Sequence, residues 1–261
     1  MQSVAVKAIE PRLKSIAFAL IASLCATTWT TAPVLAAEPD PAQIVARVDA
    51  IRFPSSDFQV DISIESRDTG SDPDIRKYRV LSKGKEDSVV LTMEPASERG
   101  QAMLMKGRDL WVFLPRVSQP VRLSLSQRLT GQVANGDLAR ANFSGDYDAV
   151  LAGTETIDGR QTDVLDLKAA ERGVTYARVK LWVDADDGRP VKSEFYSLSG
   201  RLLKSCSYED YREIAGEVRP TRLVMTDALK EGQVSVLTYD EMLPREIPAR
   251  LFTKEYLKKL Q

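Results

Sequence analysis

From residue 58 to residue 65, apolar and polar side chains alternate one for one. Phe58, Val60, Ile62 and Ile64 are set against Gln59, Asp61, Ser63 and Glu65. A period of two marks a strand with one buried and one wet face. The same rhythm predicts strands at residues 76–83, 88–94, 101–106, 109–114, 155–157, 162–167, 176–183, 190–197, 202–208, 218–226 and 234–239, with 121–125 as a further short one. Turns are supplied by Gly107-Arg108, Asp158-Gly159-Arg160, Asp186-Asp187-Gly188, Ser199-Gly200 and Glu231-Gly232. Links this short join antiparallel neighbours, so the pattern predicts a meander of about eleven strands.

Three stretches break the rhythm. Asp40 followed by Pro41 predicts a capped helix start, and Ile44, Val45, Val48 and Ile51 recur at helical spacing before Phe53-Pro54 ends the run. Residues 126–151 lose the strand pattern. Asp137-Leu138-Ala139 and the run from Asp146 through Tyr147 to Val150 and Leu151 read there as short helical pieces. A stretch of that length inside a β domain reads as a functional loop or lid. Residues 248–260 read as a helical tail. A large meander twists and curls, and its apolar face needs a cover. The expected class is therefore mainly β, a curved antiparallel sheet with helices over its concave side.

The first 36 residues read as an address. Lys7, Arg12 and Lys14 form a basic start, residues 16–26 an apolar run too short to span a bilayer, and Val34-Leu35-Ala36 a site for cleavage after Ala36. Lipidation of Cys25 is disfavoured, because Leu24 stands where a small residue is needed. Residues 37–261 are then one domain, large enough for a sizeable core. Removing the leader shifts the formal net charge from −1 to −3, leaving 33 basic against 36 acidic residues. The mature chain is expected to be soluble, with at most transient membrane contact. Cys206 is its one thiol, so an internal disulfide is excluded.

Composition removes several chemistries. With no histidine, the commonest general base and metal ligand and every Ser/His or Cys/His relay are missing. Structural zinc needs more thiols than one. No basic tract interleaved with aromatics suggests a nucleic-acid partner. Asp146 and Asp148, and the cluster Asp184, Asp186 and Asp187, lie beside turn formers and read as capping groups rather than a catalytic pair. No cofactor or metal is expected, and no enzyme activity.

The candidate chemistry is apolar. Met103 and Met105 share one face of their strand. On the next strand Trp111 and Phe113 share a face, opposite Leu110, Val112 and Leu114. A floor of methionine and aromatic groups suits a greasy cavity. Met103, Met105, Trp111, Phe113, Ile62, Leu181, Phe195 and Met225 are the candidate lipid-binding residues, and Leu138, Tyr147, Val150 and Leu151 the candidate lid residues. An ordinary packed core is the other reading of the same periodicity.

The run from Gly107 through Leu110-Trp111-Val112-Phe113-Leu114-Pro115 resembles the Leu-Trp-aromatic-Leu-Pro hairpin of the outer-membrane lipoprotein-sorting, or LolA-like, family. Gly131, Asp137-Leu138-Ala139 and Asp146-Tyr147 resemble its lid segment. Leu181-Trp182-Val183-Asp184 resembles a family strand, followed in order by Arg189-Pro190, Phe195-Tyr196, Ser199-Gly200-Arg201, Arg219-Pro220-Thr221, Ile247-Pro248 and Leu251-Phe252-Thr253. The resemblance spans roughly residues 41 to 261. It implies an unclosed β-barrel, binding of lipid or lipoprotein acyl chains in the periplasm, and an inner-membrane exporter of the resistance-nodulation-division (RND) class as a partner. The lid arginine of shorter family members aligns with no particular arginine here. The expected function is a periplasmic acyl-chain carrier; the alternative is a docking or sensor module that binds a membrane exporter or regulator without carrying lipid.

Overall fold

The computed structural model describes residues 40–259 except 116 and 118. The leader, its cleavage site and Cys25 lie outside the described residues, as does Leu260 of the expected tail. The chain begins with helix α1 (Pro41–Arg52), whose start is capped as expected: the Asp40 carboxylate accepts the Ala42 N–H at 3.0 Å. Six strands follow: β1 (Phe58–Arg67), β2 (Asp74–Lys83), β3 (Asp87–Glu94), β4 (Ala102–Lys106), β5 (Asp109–Phe113) and β6 (Val121–Leu123). A small hairpin, β7 (Arg128–Thr130) and β8 (Val133–Ala134), leads into helix α2 (Asn135–Ala139). The second half is β9 (Tyr147–Ile157), β10 (Arg160–Ala169), β11 (Arg178–Asp184), β12 (Pro190–Tyr196), β13 (Leu202–Ile214), β14 (Glu217–Asp227) and β15 (Val234–Pro244), ending in helix α3 (Lys254–Leu257).

Thirteen strands form one antiparallel sheet, in the order β6-β5-β4-β3-β2-β1-β15-β14-β13-β12-β11-β10-β9. It is two meanders joined where β1 lies beside β15. The sheet is curved but not closed, since β6 and β9 are its two edges. Among the described residues no helix is long and apolar enough to cross a membrane.

One expected element is wrong. Residues 146–151 were expected to be helical, but Tyr147–Ile157 is edge strand β9, paired to β10 from Tyr147↔Ala169 to Ile157↔Arg160. An edge strand that is half-buried at best carries no strict alternation, and a bulge near Gly153 further blurs its period. The tail is also less helical than expected: a short 3-10 turn at Ala249–Leu251 and the single turn of α3.

The two faces of the sheet carry separate apolar clusters. The inner face gathers Val60, Ile62 and Ile64 of β1, Tyr78 and Val80 of β2, Leu181, Phe195, Cys206, Met225 and Leu237, among others. Val45 and Val48 of α1 and Leu138 of α2 close over it, each such burial contributing roughly 1.5–3 kcal/mol. The outer face holds a smaller cluster, Val89, Ala102, Leu104 and Phe113, covered by Ile247, Phe252 and Leu257 of the tail. The tail is tied down at Asp57, whose carboxylate receives Lys83 Nζ at 2.6 Å, while the same Nζ donates to the Ile247 carbonyl at 3.0 Å.

Candidate functional site

Register decides which predicted residues meet. Met103 pairs with Val112, and Met105 with Leu110. Val112 and Leu110 in turn oppose Val121 and Leu123 of β6. These six line the inner side. Trp111 and Phe113, the expected companions of the methionines, point to the opposite face. Phe113 packs in the outer cluster beneath the tail, and Trp111 packs against it with Lys254 Nζ over its ring at 3.8 Å. Period two tells which residues share a face but not which face is inside, and here both are covered.

The remaining floor candidates are all buried on the inner face, in different places. Ile62 and Met105, with Leu138, line a cavity of about 110 Å³ between α1, β1–β3 and residues 137–142, open in part at exposed Ala46 and Ala50. Phe195, Met225 and Tyr147 line a neighbouring void of about 30 Å³. Leu181 is fully buried in the cluster and touches neither. Met103 lies on a separate open groove beside β7. Of the lid candidates, Leu138 and Tyr147 sit over the inner face. Tyr147, Val150 and Leu151 all belong to edge strand β9: Val150 faces outward and is 59% exposed, and Leu151, half-buried opposite Leu165, is part of the sheet and not of the cover.

The cover of the inner face is the stretch from β7 to the start of β9, and polar contacts fasten it. Asp49, on the buried side of α1, accepts the N–H groups of Phe143 at 2.9 Å and Ser144 at 2.8 Å. One turn on, Arg52 donates to the Ala141 carbonyl at 2.6 Å and lies over the Phe143 ring, 4.7 Å from its centre. Arg140 grips Asp146 through two hydrogen bonds and donates to the Lys85 and Gly107 carbonyls. Lys204, rising from β13, donates to the Gln132 carbonyl at 2.5 Å and to Asp137 at 2.7 Å. Asp137 also accepts the Tyr176 hydroxyl. Burial first, and then the Asp137 charge, push the Tyr176 phenol well above its ordinary range, so it stays a donor. Arg219, on the far side of α1, donates to the Ala50 and Ile51 carbonyls, two of the acceptors a helix leaves open at its C-terminus.

The alternation rule missed these residues because it seeks apolar faces. Asp49 falls four positions after Val45 and Arg52 four after Val48, so both stand on the buried side of α1. That placement is the one signal that could have found them. The acidic clusters divide. Asp184 accepts the Asp186 and Asp187 N–H groups as a turn acid should, whereas Asp146 is a buried ion-pair partner and not a cap. Cys206 is buried, and burial pushes its thiol up to about 12, which makes it a poor nucleophile.

An unclosed antiparallel sheet with a short helical cover on its inner face recurs in solved structures. A LolA superfamily protein from Nitrosomonas europaea is 57% identical, with 84% of this chain covering 100% of that one at a TM-score of 0.80. This chain belongs to the LolA superfamily. Two more distant solved structures share the fold: one described as a "putative outer membrane lipoprotein-sorting protein domain" from Vibrio parahaemolyticus (21% identity, 84% and 98% covered, TM-score 0.72) and a DUF1329 family protein from Desulfovibrio piger (22%, 84% and 100%, 0.71). The family model that matches, described as "-like: Uncharacterized protein", spans residues 84–259.

Proposed function

We propose that this LolA superfamily member is a periplasmic carrier that takes lipid or lipoprotein acyl chains onto the inner face of its sheet. One observation carries the reading: besides its apolar packing through Leu138, Ala139 and Phe143, the cover over that face is fastened by buried hydrogen bonds and ion pairs. Apolar packing resists opening in proportion to the area exposed. The contacts of Asp49, Arg52, Arg140 and Lys204 can instead be exchanged for contacts with water at small net cost. Such a cover opens without unfolding the sheet beneath it. The cavity beneath the cover, about 110 Å³, is below the roughly 300 Å³ of small-molecule sites, so room for a whole acyl chain requires that opening. An acyl chain entering it gains about 0.8 kcal/mol per methylene buried. Release then needs a partner that favours the open state, for which a membrane exporter of the RND class is our proposal.

The same small volume supports a second reading, a docking or sensor module with a filled core. Mass spectrometry of organic extracts from the purified protein, beside native spectra of the intact protein, separates the two. Stoichiometric acyl lipid is expected of a carrier. A lipid-free protein that also fails to take up fatty acids or lipopeptides overturns the carrier reading. We also propose that residues 1–36 are a cleaved leader; a mature N-terminus at Ala37 after periplasmic extraction is the expected result.

A further inference from the structure

The register that turned Trp111 and Phe113 outward leaves a different row on the inner side. Met103, Val112 and Val121 stand opposite one another on β4, β5 and β6, with Leu123 in the next row. The β7–β8 hairpin does not cover this end of the sheet. It borders it with Leu129, leaving an open groove of about 330 Å³ that shares no lining residue with the cavity under the cover. That volume is at the lower end of sites that take small molecules. Val121 is 45% exposed there, although its neighbours are apolar. The rim is polar but almost uncharged. Among the described residues Arg128 is the one charged side chain that lines the groove, none of the lining groups is a carboxylate, and Arg128 makes no ion pair. An apolar trough ending in a single unneutralised cation matches one kind of ligand, a chain with an anionic end.

We propose that this groove binds a single-chain anionic amphiphile, a fatty acid or a lysophospholipid with an anionic head. Its chain lies along Met103, Val112, Val121, Leu123 and Leu129, and its head pairs with Arg128. The inference rests on the carrier reading but assigns a site that needs no opening of the cover. The guanidinium offers paired donors to a carboxylate or phosphate at the water-facing end. The chain displaces water from surface that is already apolar.

The test is displacement of a fluorescent fatty acid by oleate and by monoolein, an uncharged ligand with the same chain, at low ionic strength. Wild-type protein should prefer oleate. Arg128→Gln should weaken oleate about tenfold and leave monoolein unchanged. Val121→Glu, at an exposed position, should abolish the preference for oleate over monoolein. Ala50→Trp, which obstructs the cavity under the cover from the exposed side of α1, should leave the Arg128-dependent preference for oleate in place. Mass spectra of extracts from wild type and Arg128→Gln distinguish the sources: loss of free fatty acid or loss of lysophospholipid names the ligand, and either supports the site. Equal binding of oleate and monoolein overturns it. Loss of the oleate preference in Ala50→Trp with none in Arg128→Gln or Val121→Glu overturns the groove and leaves the carrier standing. No uptake of either ligand, with no lipid in extracts, overturns both.

Discussion

Arg140 and Asp146 form a buried two-point ion pair, Nε to Oδ2 at 2.5 Å and Nη2 to Oδ1 at 2.8 Å, with side chains 5% and 4% exposed. Such a pair offsets its own desolvation only while both members are present. Arg140→Ala leaves Asp146 buried with only the partly exposed Arg108 beside it. The expected cost is about 3–5 kcal/mol in urea unfolding, with Arg140→Met plus Asp146→Leu recovering much of it. A single-variant loss within error of zero would show that water already reaches the pair.

The cover should loosen at its α1 latch before the sheet yields. Asp49→Ala removes the acceptor of the Phe143 and Ser144 N–H groups. Hydrogen exchange should quicken across residues 141–144 while the β1 and β15 amides stay protected. Uniform acceleration across the sheet would contradict a separable cover.

Phe113 should act on the tail and not on the inner face. Phe113→Ala opens a space beneath Phe252 and Leu257 at a cost of about 3–5 kcal/mol. Limited proteolysis should then cut near residues 245–257 first, with ligand uptake unchanged in the protein that remains folded. Lost uptake with an intact tail would return Phe113 to the floor.

Acid should free the same tail. Partial burial alone would raise the Asp57 pKa, but hydrogen bonds from Lys83, the Ile247 N–H and the Gly84 N–H outweigh it and hold the carboxyl below its ordinary value. A carboxylate depressed on folding stabilises above its unfolded value, near about 3.9. That contribution fades as pH falls through the folded value. Wild type should therefore lose stability below about pH 4 more steeply than Asp57→Asn. Parallel profiles would mean that the tether carries no linkage.

Cys206 should resist thiol reagents in the native protein and react fully after denaturation, since its thiol is buried and its pKa raised. Rapid native labelling would show that the inner face is open to solvent.

The sequence exposed the meander because strands such as β1 bury every second residue, and the turns between them carry glycine with acidic or small residues. It exposed α1 for similar reasons, in the Asp40 cap and the Val45–Val48 pair. The two-residue Gly107-Arg108 turn already sets Met103 opposite Val112 and so turns Trp111 and Phe113 to the other face; what the sequence could not show is that the tail lies across that face and makes it a second core. Nor could it show β9, whose exposed edge leaves little to alternate. The latch was invisible for another reason. Asp49, Arg52, Arg140 and Lys204 are ordinary surface residue types, and only tertiary packing shows that they are buried.

The place where β1 meets β15 has a consequence for how the molecule assembles. Each half of the sheet, β1 to β6 and β9 to β15, is built from neighbours in sequence. The seam between them sets Ile62 beside Tyr239 and Phe58 beside Pro244, partners from opposite ends of the described chain. Closing so long a loop carries an entropic penalty that hairpins escape, and non-local pairing slows folding. The two halves should therefore form early and join late. Until the seam zips, β1 and β15 each present a bare apolar edge, which makes that interval the one in which this chain is most exposed to aggregation.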